Sequence, residues 1–493
     1  MIKEKWQLDK PPSYNQRTDG RAGQYHQERM AHWDGVARQM DIWRGWGGYY
    51  HSRLIEIYQY LVAPGQRVLE IGCGMGDLLS ALKPAMGVGF DFSGEMIRRA
   101  RQRHPELHFI QADAHDLKLN EQFDVIILSD VLNDLWDVQL VFEGLASLSG
   151  PYTRLIINSY SRLWELPLAI AKRLGMAKPT LYQNWLTVED ISNLLNLANF
   201  EVMRHRVEIL WPLKTPFLSD LCNRYLVKLW PFKHFTLTHF IIARLRPKHK
   251  NLSEEPLVSV IVPTCNEAGN IPQIFERTPQ MGRGTELVFV EGHSKDDTYE
   301  VIERNIKAYP NWRCQLLRQT GVGKGDAVRL GFAHASGDIL MILDADLTVS
   351  PEDLPRFYEA LSSGKGEFVN GVRLVYPMEK EAMRFFNLVG NKFFSLAFSW
   401  LLEQKIKDTL CGTKVLWKNH YNMIVANRAY FGDFDPFGDF DLLFGAAKLS
   451  LKIVEMPIRY RERSYGTTNI SRWEHGWLLL KMVLFASRRI KFV

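Results

Sequence analysis

The stretch GDILMILDADLTVSP, Gly337 to Pro351, decides how this chain is read. An apolar run reads as a buried strand and leads straight into two carboxylates, Asp344 and Asp346, one residue apart. Side chains at i and i+2 of an extended segment point to the same side. Two anions held there repel, so a divalent metal, a basic partner or water must offset them.

The neighbouring sequence supplies that setting. LVSVIVPTCNEAGNI (from Leu257) is a β-branched strand ending at Pro263-Thr264, with Asn266 and Glu267 behind it. ELVFVEGHSKDDT (from Glu286) is a second buried strand ending at Glu291, followed by Ser294, Asp296 and Thr298. GVGKGDAVRLGFAHASGD (from Gly321) joins a glycine-rich loop carrying Lys324 to a helix. Three strand ends and a lysine loop therefore converge on one sheet edge. A hard cation, Mg²⁺ or Mn²⁺, bridging Asp346 and a pyrophosphate would relieve the repulsion and neutralise a nucleoside-diphosphate leaving group, with Lys324 adding charge.

The order PxxNE, EGxSxDxT, GKGxA, ASGD and DAD resembles the family 2 glycosyltransferases of GT-A fold, and more closely the polyprenyl- and dolichyl-phosphate sugar synthases. The likeness runs from Pro256 to about Trp473. It implies that Pro263, Thr264, Glu267 and Glu291 line the nucleotide-sugar site with Lys324. It implies that Asp344 and Asp346 handle ribose, metal and diphosphate, and that transfer inverts the anomeric centre. Two departures stand out. The usual Asp-Asp after the second strand is Glu291-Gly292, and the residue two beyond the DxD is Thr348.

A lipid-phosphate acceptor needs arginines beside apolar surface. Arg373 and Arg384 match basic positions of the lipid-phosphate synthases. Arg459, Arg461 and Arg463 share a face if extended, and Arg463 with Gly466 matches the family's RxxG, although its Ser-Lys is Thr468-Asn469 here. Asp439 and Asp441, in FGDFDLL, stand where the relatives carry an acid. A sugar hydroxyl would need one of them, or Asp408, as a base, whereas a phosphate would not. In Phe385 to Leu402, Asn387, Asn391, Ser395 and Ser399 recur every four residues. That gives a helix with a narrow polar stripe and a broad apolar face, suited to a membrane interface or to burial as core. The C-terminal apolar stretch ending in Arg488, Arg489 and Lys491 suits anionic headgroups.

The first half carries a different glycine pattern. RVLEIGCGMGDLLSAL (from Arg67) is a strand, a turn with Gly72, Gly74 and Gly76, and a helix start. The dinucleotide fingerprint would need glycine at 77, where Asp77 sits. Asp91 ends a second strand, where it can accept both ribose hydroxyls, and Asp113 ends a third, suited to an adenine amine. The ordered set Glu70, Gly72, Gly74, Gly76, Asp91 and Asp113 resembles the class I S-adenosylmethionine-dependent methyltransferases, over Gly48 to Arg244. It implies that these residues bind S-adenosylmethionine. Asn133, Asp134 and Asp137 are candidate bases or helix caps, and His51 is another candidate. Residues 205–240 form an acceptor-side lid or pack the sheet edge.

Alternation of strands and helices on both sides of RPKHKNLSEEP (from Arg246) implies two α/β domains with parallel sheets. The expected division is an N-terminal extension over 1–47, a Rossmann-like methyltransferase domain over 48–245, a linker over 246–256 and a GT-A domain over 257–493. Five scattered cysteines without a CxxC pair fit a reducing compartment, and a net charge of +6 suits phosphorylated or lipid partners without arguing for nucleic acid. No signal-like segment and no apolar run of spanning length occurs, which places the chain at the cytoplasmic face of a membrane as a peripheral protein. The expected function is bifunctional: metal-dependent transfer from a nucleotide sugar to a polyprenyl phosphate or lipid-linked glycan, with methylation of a molecule in the same pathway. The alternative is transfer to a soluble saccharide hydroxyl beside a non-catalytic methyltransferase-like domain.

Overall fold

The computed structural model describes residues 20–39, 48–117, 119–174, 180–247, 255–373, 385–430, 440–459 and 472–493. The chain divides into two units, Met1–Arg246 with Phe492–Val493, and Pro247–Lys491. Helix Gly20–Gln39, from the segment expected to be an N-terminal extension, falls within the first of these units.

The first unit is built on seven strands: β1 (Arg67–Ile71), β2 (Met86–Asp91), β3 (His108–Gln111), β4 (Phe123–Ser129), β5 (Ser149–Tyr160), β6 (Phe200–Glu208) and β7 (Thr238–Leu245). Their order across the sheet is β3-β2-β1-β4-β5-β7-β6. The central strands are almost continuously apolar and buried, as a sheet covered on both faces requires. Val88, Ile126, Leu128, Leu155 and Ile241 lie at the centre of the core.

The second unit has β8 (Val258–Thr264), β9 (Thr285–Glu291), β10 (Arg313–Arg318), β11 (Ile339–Ile342), β12 (Phe368–Val372), β13 (Lys414–Trp417) and β14 (Ile453–Pro457). Their order is β10-β9-β8-β11-β13-β12-β14, with one core on each face.

Neither sheet is wholly parallel, which corrects the expectation. β7 runs antiparallel to both β5 and β6, and β13 antiparallel to both β11 and β12. The connection between β6 and β7 holds only short helical turns, so the chain returns beside β6 instead of crossing over it.

The polar stripe of helix Phe385–Leu402 faces inward over its described part. Ser395 and Ser399 donate to the Ile406 carbonyl at 2.8 and 3.0 Å, while Phe398, Leu401 and Leu402 are fully buried. Phe393, Leu396 and Trp400 remain exposed. Among the described residues no helix is long and apolar enough to cross a membrane.

Candidate active sites

In the first unit the turn after β1 is fixed by glycine. Gly72, Gly74 and Gly76 all have positive φ, and a Cβ on Gly76 would meet the Phe109 ring at 2.4 Å. The turn is tied to the next strand through Asp91. Its Oδ2 accepts the Gly74 N–H and its Oδ1 the Ser93 N–H, each at 2.9 Å. Burial pushes the Asp91 carboxyl up to about 6, against the pull of those two donors. Each oxygen keeps a second lone pair for a diol. Glu70 lies inside β1, 2 % exposed, and is not among the residues lining the cleft; burial, with Asp91 adding to it, raises its pKa well above the ordinary value.

The cleft is lined by Gly72, Asp91, Asp113 and Asp134 together with His26 and Arg29, which come from helix Gly20–Gln39. His115 Nδ1 lies 2.6 Å from Asp113 Oδ1, and His26 Nδ1 lies 3.1 Å from Oδ2. Burial would raise Asp113, but the side-chain and backbone hydrogen bonds from His115, with His26 beside it, outweigh it and its pKa falls. His26, Asp113 and His115 have the spacing of a cation site. His115, however, is engaged on both nitrogens, since its Nε2 also accepts the Asp137 N–H at 3.1 Å. The cluster is a hydrogen-bond network.

Of the candidate bases, Asp137 caps the following helix through the Leu140 N–H at 3.0 Å. Asn133 is buried, and His51 lies exposed on helix Gly48–Leu61. Asp134 faces the cleft, 3.7 Å from Arg29 Nε; burial raises its pKa despite that guanidinium. Asp130 was missed by sequence reasoning. It sits just beyond β4 at φ 54°, accepts both Tyr50 and Tyr160 hydroxyls at 3.0 and 3.3 Å, and takes a further short hydrogen bond from Asn158. It directly precedes Val131, which lines the cleft.

In the second unit Thr264 and Glu291 end neighbouring strands in register. Thr264, Glu267 and Glu291 are all buried, and Pro263 is half-buried. Glu291 Oε1 accepts the Ser294 N–H at 2.5 Å and Glu267 Oε2 accepts Asn270 Nδ2 at 2.8 Å.

β11 ends at Ile342, and Asp344 and Asp346 stand on the turn beyond it, closed by Leu347 at φ 53°. The two acids therefore do not lie at i and i+2 of an extended strand. Each acid has its own neighbour. Lys324 Nζ lies 2.6 Å from Asp344 Oδ1, while Asp346 Oδ1 accepts the Thr348 N–H at 3.1 Å and hydroxyl at 2.8 Å. Burial would raise Asp344, yet Lys324, helped by Lys414 and Arg373, holds it below the usual range. Gly412 packs against this pair: a Cβ there would lie 2.0 Å from Asp344 Oδ2 and 2.3 Å from Lys324 Nζ. The oxygen-only donor set of Asp344 and Asp346 fits a hard divalent cation.

Arg373 is held by Asp408 through Nε at 2.7 Å and Nη2 at 2.9 Å. Asp441 accepts Arg428 Nε at 2.8 Å. Arg384, Arg463 and Asp439 lie outside the described residues. Of the basic C-terminal residues, Arg488 and Arg489 are exposed, but Lys491 is buried and paired with Glu403 at 2.9 Å.

Family models match residues 63–201 as a methyltransferase domain and residues 259–426 as glycosyl transferase family 2. The chain is 31% identical over 221 residues to a dolichol-phosphate mannosyltransferase of Pyrococcus furiosus, covering 43% of this chain and 59% of that one. It is 25% identical over 218 residues to an undecaprenyl-phosphate 4-deoxy-4-formamido-L-arabinose transferase of Klebsiella pneumoniae, covering 43% and 62%. It thus spans about three fifths of the length of these curated relatives. Among solved structures, glucosyl-3-phosphoglycerate synthase of Mycobacterium tuberculosis matches at TM-score 0.37 and 19% identity, covering 48% of this chain and 78% of that one. The chain joins a methyltransferase domain to a family 2 glycosyltransferase domain.

Proposed function

We propose that the second unit transfers a sugar, with inversion, from a nucleotide sugar to a polyprenyl phosphate or lipid-linked glycan. The observation that carries this is the Asp344–Lys324 pair, with Asp346 two residues on, at the edge where Thr264 and Glu291 end their strands. A nucleoside diphosphate is the leaving group such an edge suits. Asp344 and Asp346 would hold Mg²⁺ or Mn²⁺, which supplies neutralisation of the departing diphosphate. Lys324 adds a fixed cation, held by Asp344 before substrate arrives. Of the carboxylates a hydroxyl acceptor would call on, Asp408 and Asp441 are each held by an arginine, and Asp439 lies outside the described residues. That favours an acceptor already ionised, such as a phosphate.

The first unit would methylate a molecule of the same pathway from S-adenosylmethionine. Asp91 would take the ribose hydroxyls and Asp113 the adenine amine, with Asp134 facing the same cleft. The chain would work as a peripheral protein at the cytoplasmic face of a membrane. Exposed Phe393, Leu396, Trp400 and Trp477, with Lys392, Lys481, Arg488 and Arg489 also exposed, suit an anionic interface.

The test is nucleotide release from a panel of nucleotide sugars with Mg²⁺ or Mn²⁺ and a short polyprenyl phosphate, against Asp346→Ala. Release requiring both the lipid phosphate and Asp346 is expected. Release indifferent to the lipid would move the acceptor to a hydroxyl, and release indifferent to Asp346 would remove the metal role.

A further inference from the structure

The connection between β6 and β7 departs from what the topology requires. The two strands are antiparallel neighbours whose ends, Glu208 and Thr238, pair directly, so a turn of a few residues would join them. Residues 209–237 intervene instead. This excursion is anchored by polar groups that point inward. Lys228 is buried, donating to the Val207 carbonyl at 2.8 Å and pairing with Glu208. Buried Asn223 accepts the Leu210 and Trp211 N–H groups at 2.7 and 2.8 Å. Ile209, Val227 and Leu237 are buried beneath the excursion, but several of its aromatic side chains point outward: Phe217 is 92% exposed, Trp230 78% and Phe235 58%. Phe217 is also held at φ 62°. Large aromatic side chains left this exposed are not what water selects.

A second element extends the same surface. Trp164 Nε1 donates to the Phe235 carbonyl at 2.9 Å, fixing the start of helix Glu165–Arg173 beside the excursion. That helix buries none of its residues; Leu166 is 71% exposed and Leu174, just beyond it, 65%. Contiguous exposed apolar surface of this kind marks an interaction site. Its charge identifies the occupant. Residues 162–174 and 209–237 hold six lysines and arginines besides buried Lys228, against two acids, Glu165 and Asp220. Aromatic side chains among cations are what an anionic bilayer surface selects.

The surface also has a definite position. Tyr160 and Thr238 pair at the ends of β5 and β7, and Tyr160 reaches Asp130 at 3.3 Å. Both elements therefore spring from the sheet edge that carries the cofactor cleft.

We propose that residues 162–174 and 209–237 dock the first unit onto an anionic lipid bilayer, so that the molecule presented to the cleft is a membrane-embedded amphiphile. The docking stands apart from the methyltransferase reading. The acceptor class rests on that reading.

The test is flotation of the full chain with vesicles of phosphatidylcholine and phosphatidylglycerol, compared with phosphatidylcholine alone. Three variants are used: Leu166→Asp/Trp230→Asp, Phe217→Asp alone, and Leu396→Asp/Trp477→Asp in the second unit. The double variant of the first unit should lose about tenfold in partitioning, as two interfacial side chains are removed. Phe217→Asp should lose less, and the second-unit variant should still float through the first unit. Binding of S-adenosylhomocysteine, followed by calorimetry, should be unchanged in the first-unit variants. Wild type that fails to float, or a first-unit double variant that floats like wild type, would overturn the docking. A wild-type dimer in sedimentation that the same variant dissociates, with flotation unchanged, would assign the surface to a second copy and overturn it too. Wild type that floats but binds no S-adenosylhomocysteine would leave the docking and remove the acceptor class with the methyltransferase reading.

Discussion

Gly412→Ala isolates the role assigned to the Asp344–Lys324 pair. Gly412 has no left-handed φ, so alanine strains nothing in the backbone. The added carbon would stand 2.0 Å from Asp344 Oδ2 and 2.3 Å from Lys324 Nζ. Carbon and oxygen rest at about 3.3 Å or more, so the pair must retreat by roughly 1 Å. If the pair meets the diphosphate as proposed, a displacement of that size costs about 100-fold in rate, or about 2.7 kcal/mol of transition-state stabilisation. The clash itself costs about 1–3 kcal/mol of stability in the second unit. The assay is kcat/KM for nucleotide release with whichever donor the panel selects, alongside thermal unfolding. Lys324→Met serves as the comparison, removing the charge without the clash. Full activity in folded Gly412→Ala would refute the reasoning, because the pair could not then need its observed place.

Three further outcomes follow from particular contacts. Asp91 is protonated below about 6, so S-adenosylhomocysteine affinity should fall from pH 7.5 to pH 5 in calorimetry, and Asp91→Asn should flatten the profile. The folded state keeps that proton where the unfolded chain has lost it, so this group's contribution to stability declines as pH rises from its ordinary 3.8 to about 6. Gly76→Ala combines a positive φ with a clash against Phe109 and should cost the first unit about 1–3 kcal/mol in urea denaturation. Arg373→Ala strands the buried Asp408 carboxylate and should cost the second unit roughly 3 kcal/mol, with Arg373→Ala/Asp408→Asn recovering part of it.

What was legible in the sequence was what is local. Apolar runs closed by acids or glycines placed the strand ends bearing Asp91, Thr264 and Glu291 and the segments just beyond strands that carry Asp113 and Asp344, because burial and turn geometry act within a few residues. Pairings across the chain were not legible. Arg373 finds Asp408 at 35 residues' separation and Asp130 finds Tyr50 at 80, distances at which no periodicity carries information. Helix Gly20–Gln39 was invisible as a cleft wall for the same reason, since His26 meets Asp113 only in the fold. The stripe of serines in Phe385–Leu402 was legible as a stripe, but its direction was not. Period alone cannot tell a polar face turned to water from one satisfying a buried carbonyl such as that of Ile406.

The two units are proposed to act in one lipid-linked pathway, and a shared product is the strictest form of that proposal. The most direct measurement supplies the full chain with a sugar-labelled nucleotide sugar, methyl-labelled S-adenosylmethionine and a polyprenyl phosphate, then follows both labels through organic extraction and thin-layer chromatography. One extractable species carrying both labels is expected, lost with Asp346→Ala. A sugar label that stays in the aqueous phase, or the two labels on separate products, would contradict it.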